Sequence, residues 1–136
     1  MPTSNAAAES PSLQIENHGD ALKMALEPVA PPTMDREGYV IESGGVSMKV
    51  LWVSDDGTSA SGLWEAQPGV IKGVFLFDER DYILSGRMTV RPEEGNPVEI
   101  RAGEFVHFPK GSTATWEIHE TLRKCFNIYN PEGLPL

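Results

Sequence analysis

Regular punctuation by turn-forming residues limits this chain to short elements. From Tyr39 to Tyr129, short apolar runs alternate with Gly, Pro, Asp and Asn clusters. The turn signals fall at Asp55-Asp56-Gly57, Pro68-Gly69, Ser85-Gly86, Glu94-Gly95-Asn96, Ala102-Gly103 and Pro109-Lys110-Gly111. Spacing of roughly ten residues leaves room for a strand between turns and none for a long helix. Within Val46–Val53 the apolar residues Val46, Met48, Val50 and Trp52 alternate with period two, as in a strand buried on one face. Val70–Phe77 reads as a near-continuous apolar strand. Tyr82–Leu84, Ser85-Gly86 and Arg87–Val90 read as a tight hairpin. Val98–Ile100, Glu104–Phe108, Trp116–His119 and Leu122–Tyr129 complete the series. Many short strands at even spacing predict an all-β sandwich or barrel. No amphipathic helix is long enough to support an α/β fold.

Residues 1–33 differ. Met1–Pro11 is rich in Ala, Ser and Pro and reads as a flexible arm. Asp20–Glu27 can form two helical turns, capped by Asp20 and stopped by Pro28, too short to be stable unless packed on something. The division predicted is therefore an arm over 1–33 and one β-domain over 34–136.

Charge and cysteine content narrow the function classes. The net charge of −9 repels nucleic acid and anionic membranes, and Lys and Arg are scattered. The single cysteine, Cys125, cannot form an intrachain disulfide and sits in an apolar strand, as a core thiol does. The N-terminus lacks a basic start and an apolar run, and no stretch approaches the length of a membrane span, so a cytoplasmic protein is expected.

Two motif fragments carry chemistry. Glu79, six residues and Gly86 form the first, and Gly103, five residues, Pro109, one residue and Gly111 form the second. They resemble the two conserved motifs of the cupins. Leu63-Trp64-Glu65, Asp78-Glu79, Tyr82-Ile83-Leu84-Ser85-Gly86-Arg87, Ala102-Gly103-Glu104, Phe108-Pro109-Lys110-Gly111 and Thr115-Trp116-Glu117 narrow the resemblance further. It is to short cupins similar to the (S)-ureidoglycine aminohydrolase cupin domain and the ethanolamine-utilisation cupin, over about residues 60–129. The resemblance implies a double-stranded β-helix, the jelly-roll barrel, and by analogy a homodimer. A cupin fold hosts many chemistries and does not settle this one.

The resemblance also implies a metal site of three histidines and a Glu, a donor set suited to Mn, Fe, Ni or Zn. Here the first-motif histidine slots fall among Lys72, Gly73, Val74, Phe75 and Phe77, and the second-motif slot is Ala114. Only Glu79 remains, so no metal and no other cofactor is expected. Should a divalent metal bind, His107 and His119 are the substitute ligands; His18 lies in the arm.

A lumen-facing Glu79 among aromatic side chains has two readings. Burial would raise its pKa and suit it to acid–base work or to holding a cationic ligand. Alternatively it pairs with Arg87, Arg123 or Lys124 and only braces the barrel. Lys124 is an attractive partner because a charged group on an apolar strand needs a reason. Tyr82 could supply a hydroxyl. Trp64, Phe75, Phe77 and Trp116 fill the interior or cage an ammonium.

Three functions follow. The first is metal-independent binding of a nitrogenous metabolite, an amine, ureide or amino-acid derivative, through Glu79 and the four aromatics. The second is an enzyme on such a metabolite, with Glu79 as general base and Lys124 or Tyr82 as electrostatic partner. The third is an assembly protein with a packed lumen, favoured if no cavity of roughly 300 Å³ is present.

Overall fold

The structure is a computed structural model, and it describes residues 13–135. The arm residues up to Ser12 lie outside the described residues. A short helix, α1 (His18–Lys23), precedes nine strands: β1 (Glu27–Pro28), β2 (Tyr39–Ile41), β3 (Val46–Val53), β4 (Ser59–Ala66), β5 (Gly69–Val74), β6 (Asp78–Pro92), β7 (Val98–Arg101), β8 (Phe105–Phe108) and β9 (Thr113–Tyr129). Every pairing is antiparallel. No helix among the described residues is long and apolar enough to cross a membrane.

Two long strands organise the barrel. β9 pairs along one edge with β6 for almost its whole length. Its other edge is shared: the C-terminal half pairs with β4 and the N-terminal half with β5. One half of the barrel thus runs β1-β3-β4-β9-β6-β8 and the other β2-β5-β9-β6-β7. This is the double-stranded β-helix that the resemblance implies. The inward faces share a core that includes Val46, Ile71, Ile83, Val90, Ile118 and Leu122.

The corner between the halves corrects one expectation. Residues 82–90 are not a hairpin; they lie within the single 15-residue strand β6. The register to β9 shifts around Ser85 and Arg87. Buried residues are odd-numbered before the shift (Glu79, Asp81, Ile83) and even-numbered after it (Met88, Val90). The strand's faces exchange across these irregularities, as they do at a bulge. Gly86 has φ +93°, and a Cβ there would strike the carbonyl oxygen of Thr121. A hairpin would need the two halves to pair with each other, but both pair with β9. Likewise Trp116–His119 and Leu122–Tyr129 are parts of the 17-residue β9, bent at exposed His119–Thr121.

Two smaller corrections follow from local bonding. β5 ends at Val74, not Phe77; the Phe75 amide donates to Ser112 O and its carbonyl accepts from Gly111 N, tying the connection to the second motif's turn. The helix is capped by Asn17, whose side chain accepts from Asp20 N, so Asp20 sits in its first turn and Lys23 in its last. Glu27–Pro28, within the segment assigned to the arm, pairs with Ser47 and Met48. Arg123 fastens this segment to the outer face of β9. It donates to the carbonyls of Ala21 (2.8 Å) and Met24 (2.9 Å) and to Glu65 Oε1 (2.9 Å).

Candidate functional site

The first half of the barrel brings Lys124, Glu79 and Asp81 together in the lumen. Lys124 lies on β9 opposite Trp64 of β4 and Ile83 of β6. Its Nζ donates to Glu79 Oε2 at 2.5 Å and to Asp81 Oδ2 at 2.9 Å. The side chains of Glu79 and Lys124 are each 9% exposed and that of Asp81 is 0%. The ammonium also stands 4.5 Å from the Trp64 ring centroid, a cation–π distance.

Charge buried this deeply reshapes titration. Burial pushes the Asp81 carboxyl well above the usual range; the neighbouring Lys124 opposes this and Glu79 adds to it. Burial works against the Lys124 ammonium, but the facing Asp81 and Glu79 carboxylates outweigh it and its pKa rises. The Tyr39 phenol is pushed up by burial, with the neighbouring Trp64 opposing the rise.

A cavity of about 120 Å³ opens beside this cluster. Glu79, Lys124, Glu37 and Tyr39 contribute its polar groups, and its walls include Trp64, Phe75, Phe77, Phe108 and Trp116. Phe75 stacks on Phe108 with centroids 4.5 Å apart, and the Trp116 ring meets Phe75 edge-on at 5.2 Å. Trp116 Nε1 is buried with no hydrogen-bond partner among the described residues, as is Asp81 Oδ1. The volume is below the roughly 300 Å³ at which ligand pockets begin.

The structure gathers Glu79, Lys124, Trp64, Phe75, Phe77 and Trp116 at this cavity and leaves others outside. Tyr82, named as a partner for Glu79, points the opposite way; it packs on Phe105 with ring centroids 4.9 Å apart, on the outer face. Strand alternation forbids Glu79 and Tyr82 from sharing a face. Arg87 and Arg123, alternative partners for Glu79, bind Glu99 and Glu120, and Glu65, respectively. The substitute metal ligands are exposed: His119 Nε2 lies 2.7 Å from Thr89 Oγ1, and His107 Nε2 lies 3.8 Å from Asp78 Oδ1. They do not converge on Glu79. Sequence reasoning missed Asp81, although it sits two residues from Glu79 and so shares its face. It also missed Glu37 and Tyr39, which reach the cavity from the segment before β2 and from β2 itself.

The donor set does not fit the metal site of the cupins. Val74, Phe75 and Phe77, at expected histidine slots, present hydrocarbon to the cavity. Lys72 pairs with Glu42 at 3.2 Å. Glu79 Oε2 already holds an ammonium. Among the described residues, no three His, Cys, Asp or Glu side chains are grouped to hold a metal ion.

Comparison with known proteins agrees with this architecture. No curated protein matches the chain. The EutQ protein of Clostridium difficile is 24% identical, with a TM-score of 0.57 over 64% of this chain and 69% of that one. A putative ethanolamine utilization protein Q from Salmonella typhimurium is 20% identical, with a TM-score of 0.58 over 77% of this chain and 97% of that one. A protein of unknown function from Rhizobium leguminosarum is 21% identical, with a TM-score of 0.61 over 88% and 98%. Such identities carry the fold alone. The family model described as EutQ-like cupin domain matches residues 53–126, which is 74 of the 136 residues. This chain belongs to the EutQ-like cupin family.

Proposed function

We propose that this cupin binds a small nitrogenous metabolite in its lumen without a metal, with the Lys124 ammonium as the site's resident cation. The carrying observation is the pairing of Lys124 Nζ with both Glu79 and Asp81 at the edge of an aromatic cavity. A divalent ion would have to displace an ammonium that two buried carboxylates hold, and no imidazole lies beside it to complete a coordination sphere. The single Lys124 ammonium faces two carboxylates, Glu79 and Asp81, which leaves the cluster acidic on balance. Aromatic walls add attraction for a cation. The small size of the cavity favours a small ligand. The names of the relatives from ethanolamine utilisation are consistent with an amine.

The test is elemental analysis of protein purified without added metal, beside a stripped sample offered Mn, Fe, Ni and Zn. A thermal-shift and calorimetric screen of small amines, ureides and amino acids follows. Sub-stoichiometric metal with saturable binding of an amine or ureide, weakened in Glu79→Gln, supports the reading. Stoichiometric metal overturns it. Turnover that E79Q abolishes would replace binding with catalysis, Glu79 acting as the base.

A second reading has its own observation. A cavity this small also suits a barrel packed shut, its surface serving assembly. Failure of every candidate to bind would favour that reading. In either case we place the protein in the cytoplasm as a homodimer, with exposed Leu13, Ile15 and Phe105 offering apolar surface for pairing; light scattering after size exclusion tests the dimer.

A further inference from the structure

Asp81 belongs to the lumen cluster but does not line the cavity, whereas Glu79 does. Lys124 Nζ donates to both carboxylates, at 2.9 Å to Asp81 Oδ2 and 2.5 Å to Glu79 Oε2, so the two acceptor oxygens are no farther apart than those distances laid end to end. Charge does not close here. Two carboxylates face one ammonium, and among the described residues no second cation pairs with either. The guanidiniums of Arg87 and Arg123 are held by other carboxylates. Asp81 is fully enclosed, and its Oδ1 has no hydrogen-bond donor among the described residues. Opposite Asp81 the neighbouring strands offer only Val106 and Phe126. A carboxylate with one bare oxygen is costly to bury, and an unmatched buried charge is removed by taking up a proton or a counter-ion. Burial accordingly pushes the Asp81 carboxyl well above its ordinary range, with Lys124 opposing the rise and Glu79 adding to it. The other titratable groups nearby supply no cation: Glu37 and Tyr39 reach the cavity, and the Cys125 thiol, next to Lys124 on β9, feels the Asp81 charge.

We infer that Glu79 and Asp81 together hold one proton at neutral pH while the cavity is free of cations, and that a cationic amine binding at Glu79 expels it, so that amine binding is coupled to proton release. This rests on the ligand-binding reading above and adds the regulation of the same site. Two carboxyls on one ammonium titrate as a pair, so the proton belongs to the pair rather than to either residue. Before binding, the cluster holds one ammonium, one carboxylate and one carboxylic acid. After binding, it holds two ammoniums, one of them the ligand's, and two carboxylates. Only an O–H bond breaks, the ligand keeps its own proton, and the net charge of the lumen is unchanged. The released proton reaches water by way of Glu79, the carboxyl of the pair that lines the cavity. An uncharged ligand brings no positive charge to replace the proton and releases none. Affinity for an amine therefore rises with pH, and affinity for a neutral amide does not.

The probes are propylamine, cationic at neutral pH, and propanamide, which is uncharged. Calorimetry at neutral pH in phosphate and in Tris, buffers of different ionisation heat, counts the protons released per ligand bound. Propylamine should release about one proton from the wild type, and propanamide none. In Asp81→Asn propylamine should still bind and release none. Propylamine affinity should rise by about tenfold per pH unit in the wild type while the pair keeps its proton, and stay level in D81N. Propylamine binding without proton release overturns the inference and leaves the binding reading standing. Release that persists in D81N also overturns it, since the proton then comes from another group. Infrared spectroscopy of the ligand-free chain tests the proton separately. A carbonyl stretch of a protonated carboxyl should be present in the wild type at neutral pH, shift on carbon-13 labelling of the aspartates and vanish in D81N. Absence of that band overturns the inference whatever any ligand does. If the band is present but neither propylamine nor any other small nitrogenous compound binds at millimolar concentration, the binding reading falls and the coupling falls with it. Should D81N not fold, the labelled band and the contrast between propylamine and propanamide on the wild type decide alone.

Discussion

Replacing Lys124 by Met tests the central cluster most directly. Methionine keeps the length and apolar body of the side chain and removes only the charge. In the native barrel that charge neutralises Glu79 at 2.5 Å and Asp81 at 2.9 Å, with Asp81 fully enclosed. Removing one member of such a buried set strands the others, which costs about 3–5 kcal/mol. Taking about 4 kcal/mol and a urea slope of about 2 kcal/mol/M, the unfolding midpoint should fall by about 2 M. That is a large part of the stability of a domain this size, so the variant is near its folding limit at neutral pH. Equilibrium urea unfolding followed by tryptophan fluorescence reads the shift. The loss should shrink on acidification, as the stranded carboxylates take up protons. The triple variant Glu79→Gln, Asp81→Asn, Lys124→Met should recover most of the loss, because amides carry no charge to strand and the three sites are coupled. A midpoint shift under about 0.5 M for K124M alone would refute the picture of a buried ion cluster. A triple variant as unstable as the single would assign the loss to packing instead.

Other consequences can be checked in parallel. Gly86→Ala places a Cβ against Thr121 O at a φ of +93° and should cost about 2 kcal/mol or more, read by the same unfolding assay; an unchanged midpoint would remove the bulge argument. Arg123→Ala releases the carbonyls of Ala21 and Met24 and should cost about 2 kcal/mol, with new protease cleavage between Leu13 and Pro28; protection equal to wild type would show that the segment is held by other contacts. The Cys125 thiol, Tyr39 phenol and Lys124 ammonium all hold their protons to higher pH when folded than their ordinary values of 9.0, 10.0 and 10.5. The native state therefore binds more protons than the unfolded chain above pH 9.0, and stability should decline as pH rises from there through the raised values. Cys125→Ala should remove part of that slope, and a flat alkaline stability profile would contradict the burial of these groups.

The relation between sequence and structure is uneven in an instructive way. Alternation and turn chemistry are local properties, so the strands around Val46–Val53, Val98–Ile100 and Phe105–Phe108 were legible from their residues. The spacing of Glu79 to Gly86 and of Gly103 to Pro109 and Gly111 identified the barrel because glycine and proline mark corners whatever surrounds them. Strand continuity was not legible. Ser85-Gly86 is compatible with a hairpin and with a bulge, and only the pairing of both flanks with β9 decides between them.

The site divides along the same line. Glu79 and Lys124 stood out because a charge amid apolar residues demands a partner, wherever the fold places it. Asp81 escaped notice because its meaning depends on the face of β6, which is inward only on the N-terminal side of the bulge. Tyr82 was misplaced for the converse reason: nearness in sequence puts neighbours on opposite faces of a strand. Glu37 and Tyr39 reach the cavity through the pairing of β2 with β5, a contact between segments some thirty residues apart that no local pattern encodes. The all-β architecture and the lack of histidines at the motif positions follow from residue type and spacing alone. That Lys124, and not Arg87 or Arg123, fills the space beside Glu79 is settled by long-range pairing, which sets which side chains share the lumen.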